Sequence, residues 1–198
     1  MELPLTRTPV IIADVPRDKV ELTRSQAAQP FPWGTDYSKV AEVSYRLSAV
    51  NEEKGIKQTH LETTAVVNRL AETWRRSDFF IGGEGRYMYF RVDPTFAGFG
   101  TTNLVITVVA QRVAADRKAG MGLLYESLKG YRRAEGWFDI PADDQWHEFA
   151  WTVNDANFVG GWGWNFRTDA VGSANEFWIR EVRVRKPRPL GRTRPGSR

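Results

Sequence analysis

The sequence predicts an all-β protein, an antiparallel β-sandwich of jelly-roll type with an extended N-terminal segment and at most one or two short helices. Three observations lead there. Apolar and polar residues alternate with a period of two through most segments after residue 40, the pattern of a strand with one buried face. Turn residues punctuate those segments about every dozen residues, at Gly120, Gly130, Pro141 to Asp144, Gly160-Gly161 and Gly172-Ser173. Aromatic residues crowd the C-terminal part: five of the eight Trp fall between Trp146 and Lys186, and each carries ~150–250 Å² to bury in a core or to present on a surface.

Taken in order, residues 1–35 hold Pro4, Pro9, Pro16, Pro30 and Pro32, a spacing that prevents long helices and reads as an extended lead-in packed on a larger body. The sandwich domain spans 36–186. Its first strand is Val40–Val50, where Ala41, Val43, Tyr45, Leu47 and Ala49 alternate with polar residues. A charged loop follows at Asn51–Gly55. In Thr64–Arg76, Val66, Val67, Leu70 and Trp74 recur at helical spacing, which fits either one short helix or an irregular loop pinned by Trp74. Strands are then expected at 87–93, 103–113, 120–128, 131–139, 146–153, 162–168 and 176–184. In the last of these, Phe177 and Ile179 share a face that Val182 and Val184 continue only if one extra residue is inserted around Arg180-Glu181, the signature of a β-bulge; Trp178 then points the other way. Phe149, Trp151, Phe177, Ile179, Val182 and Val184 are the expected core.

Charge and composition exclude several classes. The formal charge is +4 over 198 residues, but Lys186, Arg188, Arg192, Arg194 and Arg198 lie in the final thirteen positions; without these five cations the body stands at −1. Residues 187–198 read as a disordered Pro/Gly/Arg tail, and no nucleic-acid partner is expected. There are no Cys, hence neither disulfides nor thiol chemistry. No apolar run approaches the ~18–20 residues that span a bilayer, so no membrane partner is expected. The N-terminus shows no export signal; an extracellular or periplasmic location would need a signal or parent chain beyond these residues.

The succession YMYFRVD (87–93), NLVITVVA, G-x-x-LLYES (120–127), Trp137 before a polar turn, QWHEFAWTVNDANF (145–158), NFRTDA (165–170) and EFWIREVRV (176–184) resembles bacterial jelly-roll domains of the galactose-binding-like superfamily, many of them carbohydrate-binding modules. The resemblance covers residues 80–186. It implies a non-catalytic module that binds a polysaccharide or oligosaccharide, accessory to a polysaccharide-handling system, with a linked catalytic domain or a homo-oligomer as further partners. It also implies a structural calcium, with Asp93, Asp155 and Glu181 as candidate ligands at strand ends. Segment 51–80 departs from the compact modules.

A pyranose presents an apolar C–H face to an aromatic ring and hydroxyls to planar polar groups. Trp162 and Trp164, two apart on one expected strand, project together, with Asn165, Arg167 and Asp169 nearby and with Gly161 and Gly163 leaving room for a ligand; placement of one of the two Trp in the core is the other reading, and the favoured one. Trp137 and Tyr131, with Arg132 and Arg133, form a second cluster suited to an acidic sugar; a rim Trp covering the end of the core fits Trp137 equally. Trp33 reads as a lid on the core. Catalysis would have to use His60 or His147, the two His of the chain: His147 reads as structural within its strand, and His60 stays open. Phosphate loop, nucleophile elbow and H-E-x-x-H motif are all missing. A structural or protein-interaction sandwich and a jelly-roll polysaccharide lyase or hydrolase are the alternatives to the binding module.

Overall fold

A computed structural model describes residues 34–47, 51–60, 64–69, 72–77, 86–113, 118–171 and 176–187. The expected lead-in up to Trp33 and the tail beyond Pro187 lie outside the described residues.

Thirteen strands and one short helix make up the described chain: β1 Glu42–Arg46, β2 Glu52–Lys54, β3 Ile56–Thr59, β4 Thr64–Arg69, β5 Glu72–Ser77, β6 Tyr87–Val92, α1 Pro94–Ala97, β7 Thr102–Arg112, β8 Ala119–Ser127, β9 Gly130–Arg133, β10 Phe138–Ile140, β11 His147–Ala156, β12 Phe166–Asp169 and β13 Phe177–Arg185. The strands pair in the order β2-β1-β13-β7-β11-β8-β12-β6-β3, with β5 and β4 branching from β13, and β9 and β10 from β8. Every ladder between these strands is antiparallel. A single residue pair, Ala156 with Ser127, joins β11 to β8. The path thereby folds into two facing layers, one centred on β7 and β13 and the other on β8 and β12: the predicted antiparallel sandwich.

The core lies between the layers and follows the period-two pattern. Met88, Phe90 and Val92 on β6, Phe166 on β12, and Met121 and Leu123 on β8 face Val43 and Tyr45 on β1, Leu104, Ile106 and Val108 on β7, and Trp151 on β11, all buried. Rings interlock across the gap, Tyr45 with Phe90 at 6.3 Å and Phe138 with Trp151 at 4.9 Å between centroids. Phe149, Trp151, Phe177, Ile179, Val182 and Val184 are all buried. The bulge stands where the sequence placed it: the β13–β7 register shifts between Ile179 and Glu181, and the Arg180 carbonyl accepts the Leu47 amide at 2.9 Å. One inserted residue restores both Val182 and Val184 to the core face.

Several boundaries differ from expectation. Thr64–Arg76 is neither a helix nor an irregular loop but a hairpin, β4 against β5 with Val66 opposite Arg75 and Val67 opposite Trp74, and β5 docks on β13. Four residues at helical spacing make a short signal, and the β-branched Thr64, Val66, Val67 and Thr73 favour a sheet once an open strand edge is at hand. The expected strand 131–139 is two strands, broken at Gly136, whose φ is 95°. The strand expected at 162–168 begins only at Phe166; Trp162 and Trp164 belong to the loop before it.

Candidate functional site

The layer built on β8 and β12 has a second face, directed away from the core. Register places its residues in rows across the strands. One row runs Tyr131 (β9), Glu126 (β8), Asn165, Arg91 (β6) and Lys57 (β3); the next runs Arg133, Leu124, Arg167 (β12), Tyr89 and Thr59; a third brings together Gly122, Asp169 and Tyr87. The alternation that buries Met88, Phe90 and Val92 is therefore also what lines up Tyr87, Tyr89 and Arg91 outside.

The loop Val159–Trp164 folds over the first row and is fastened to it from below. Glu126 is 4% exposed. Its Oε2 accepts the amides of Val159 at 2.9 Å and Gly160 at 2.7 Å, and the Asn165 side-chain amide at 2.9 Å; its Oε1 accepts the Gly161 amide at 2.9 Å. One carboxylate thus satisfies three successive backbone N–H groups that would otherwise turn inward without a partner. The loop then reverses through a turn closed by the Gly163 amide on the Gly160 carbonyl at 2.9 Å, with φ of 72° at Gly160 and 83° at Gly163. These angles explain glycine at 160 and 163, while a Cβ at Gly161 would come within 3.3 Å of Glu126 Oε1.

This turn holds Trp162 outside. At 66% exposure it is the most exposed large apolar side chain among the described residues, yet it is not loose. Its indole lies on the Tyr131 ring at 4.3 Å and 15°, and its backbone N–H donates to Tyr131 Oη at 3.2 Å. Tyr131 Oη in turn donates to the Trp164 carbonyl at 2.7 Å. Trp164 is only 4% exposed, wedged between Tyr131 at 4.2 Å and Tyr89 at 5.2 Å. Of Trp162 and Trp164, one ring thus faces solvent and the other, buried, props it up.

Burial pushes the Tyr131 phenol up to about 12 from its ordinary 10.0, and the neutral form is the one that donates to the Trp164 carbonyl. Because the folded value exceeds the unfolded one, this contribution is complete below pH 10.0 and is lost as pH rises toward about 12. Near-ultraviolet circular dichroism of the Trp162–Tyr131 stack is expected to be flat up to pH 10 and to collapse between there and about 12.

Beside the loop, the Arg167 guanidinium sits 3.8 Å over the Tyr87 ring and 5.6 Å from the Tyr89 and Trp164 rings, with Nη1 donating to Tyr89 Oη at 3.3 Å. His60, at a positive φ of 53°, brings its ring to 4.7 Å from Tyr89, so the open histidine of the sequence borders this face. His147 instead pairs with Asp143 at 2.8 Å and draws that carboxyl below its ordinary value. At the far end Trp137, 42% exposed, lies across β8. A Cβ at Gly120 would fall 2.5 Å from its Nε1, so glycine there lets the indole rest on the strand backbone, where it donates to Asp139 at 3.0 Å.

Two residues expected to touch a ligand are enclosed. Asn165 is 2% exposed, donating to Glu126 and accepting the Val92 amide at 2.8 Å through Oδ1; its amide stitches β6, β8 and the loop together. Asp169 is fully buried, bound to Arg133 at 2.7 Å and to the Val171 amide at 3.0 Å. Trp178 stands on β13, in the opposite layer.

The proposed calcium ligands do not converge. Asp93 caps α1, accepting the Thr95 amide at 2.8 Å and its hydroxyl at 2.6 Å. Asp155 accepts from Tyr125 at 2.5 Å and pairs with Arg132 at 3.0 Å. Glu181 lies 3.9 Å from Arg183. Among the described residues no three His, Cys, Asp or Glu side chains gather at one point. A polar cleft of about 340 Å³ opens at the seam of β9 and β11. The Arg132–Asp155 pair lies in its wall beside Arg133 and Glu135.

Sequence reasoning missed Glu126, Tyr87 and Tyr89. An acid in the middle of the apolar run G-LLYES was the available signal for the first, and the outward half of YMYFRVD for the others.

No protein-family model and no curated protein matches the chain. Among solved structures, it is similar to the carbohydrate-binding and catalytic modules of a Clostridium thermocellum endo-1,4-β-D-xylanase complexed with xylohexaose, at TM-score 0.48 and 13% identity over 83% of this chain and 30% of that one. It is likewise similar to the CBM22-1 xylan-binding domain of a Paenibacillus barcinonensis xylanase, at TM-score 0.48 and 8% identity over 75% and 95%. A CBM6 module of Cellvibrio mixtus lichenase 5A, in complex with cellotriose, gives TM-score 0.35 and 13% identity over 73% and 97%.

Proposed function

We propose that this chain is a non-catalytic polysaccharide-binding module whose ligand stacks on Trp162 and runs along the outer face of the β8–β12 layer. The observation that carries this reading is the combination of exposure and fixation at Trp162. Two-thirds of the residue is open to solvent, while the stack on Tyr131 and the loop amides held by Glu126 fix its plane. A pre-set aromatic plane meets the C–H face of a pyranose without further ordering of the protein, and preorganisation of that kind is what turns a small contact into useful affinity. Tyr87 and Tyr89 extend the surface, and a single such site in tandem with another, or beside a catalytic domain, would act by raising local concentration.

Replacing Trp162 by Ala is expected to weaken binding by at least about 2 kcal/mol, or ~30-fold, as a central aromatic anchor does. Thermal stability should stay within about 0.5 kcal/mol of the parent, because the ring is exposed. Affinity electrophoresis on soluble polysaccharides, followed by calorimetry on the oligosaccharides retained, measures the first and a melting curve the second. Undiminished glycan binding by the variant would sink the site assignment. A well-defined dimer in which Trp162 becomes buried, with no glycan retained, would establish the protein-interaction alternative.

A further inference from the structure

We propose that the polysaccharide is acidic, with a uronate carboxylate seated on the Arg167 guanidinium. This rests on the reading of the outer face as a glycan site and adds the chemistry of the sugar.

Arg167 is half-buried, with its guanidinium 3.8 Å over the Tyr87 ring. Its guanidinium carries five N–H donors, and its protein hydrogen bond is the one from Nη1 to Tyr89 Oη. Among the described residues no carboxylate pairs with it. The rings around it offset part of the cost of desolvation through cation–π attraction, but an aromatic face does not satisfy N–H groups at the guanidinium edge. The acids of the same face are already committed, Glu126 to the loop amides and Asp169 to Arg133 and the Val171 amide. Among the described residues, Lys57, Arg91 and Arg133 share these rows with Arg167, and a basic surround of this kind favours an anionic ligand.

Geometry selects a carboxylate on a stacked sugar. The Trp162 and Trp164 centroids are 5.9 Å apart, and the guanidinium is 5.6 Å from the Trp164 centroid, so the guanidinium and the stacking ring both border Trp164, within reach of one short oligosaccharide. In a uronic acid the carboxylate is an equatorial substituent at the ring rim. A pyranose lying on Trp162 directs it along the sheet, where a planar fork of N–H groups receives both oxygens. Arg133, in the same row two strands away at ~10 Å, keeps 60% of its side chain exposed and offers a second cation for a later acidic unit.

The test uses the full chain with polygalacturonate, alginate and glucuronoxylan, each beside its carboxyl-reduced form. At low salt at least one acidic polymer should bind about tenfold or more tighter than its reduced form, and high salt should narrow the gap. Arg167→Gln should bring the acidic polymer down to the level of the reduced one while leaving the reduced one within about twofold. Arg167→Lys should recover only part of the difference, since an ammonium keeps the charge without the fork. An unchanged near-ultraviolet dichroism confirms that the aromatic face of each variant is intact. Equal binding of acidic and reduced polymers overturns the proposal while leaving the glycan site standing. So does Arg167→Gln weakening both alike, which would make Arg167 a prop for the rings. Dextran sulfate bound as tightly as any uronate overturns the carboxylate assignment in favour of general anion attraction, and retention of no polysaccharide at all removes the glycan site itself.

Discussion

Glu126→Ala should release the loop that carries Trp162 and abolish glycan binding without removing any residue that touches the ligand. The carboxylate accepts the amides of Val159, Gly160 and Gly161 and the side chain of Asn165. Hydrogen bonds to a charged group contribute ~1.5–3 kcal/mol each. Water entering from the exposed side of the loop recovers part of that sum, so a net loss on the order of 3 kcal/mol is expected. The loss is local, because the core beneath is built by Phe166 and Leu123, which point the other way. Hydrogen exchange at the three amides should rise sharply while that of β7 stays slow, and the Trp162 dichroism should vanish. Glu126→Gln, which keeps the shape but aims an amide N–H₂ at N–H donors, should reproduce most of the defect. Retained binding in Glu126→Ala would show that the loop holds its form without the anchor.

Trp164→Ala should act on stability first. The residue is enclosed by Tyr131, Tyr89 and Trp162, and truncating a buried aromatic costs ~3–5 kcal/mol. Denaturant unfolding should show a loss of that size, against almost none for Trp162→Ala. The two substitutions, two residues apart, thereby separate the ring that meets the ligand from the ring that supports it. A loss below about 1 kcal/mol for Trp164→Ala would mean that the cavity collapses and that Tyr131 finds another support.

The core was legible because each strand repeats one rule. Along β13 even the irregularity could be read: Val182 and Val184 reach the core only if Arg180 is set aside, and the chain does so. The hairpin β4–β5 was not legible, because its pairing partner is the edge of β13, a hundred residues later in the chain, and no local pattern announces an edge. The site was legible in part for a related reason. The aromatic loop stands out in sequence, and Trp162 and Tyr131 do stack, with Trp164 between them and Arg167. Their supports come from β8 and β6, however, and Glu126 betrays its role only when the register brings Asn165 and residues 159–161 on top of it. Residues that read as ligands by type, Asn165 and Asp169, proved to be the fastenings, since short polar side chains on a crowded face are consumed by the backbone around them.

Strand β13 has a consequence for how the protein comes into being. It lies between β1 and β7 and also receives β5, yet it is the last of the described strands to be synthesised. Until Phe177–Arg185 is available, β1, β5 and β7 each have an unpaired edge, and Ile106 and Val108 lack their core-face neighbours Val184 and Val182. The first described strand must wait for the last, Glu42 for Arg185. A nascent chain in that state is sticky in the way open strand edges are, and closure of contacts so distant in sequence is slow. The module is therefore expected to complete itself only after its C-terminal strand has left the ribosome, in one late step, and a chain stalled before Phe177 is expected to be a target for chaperones.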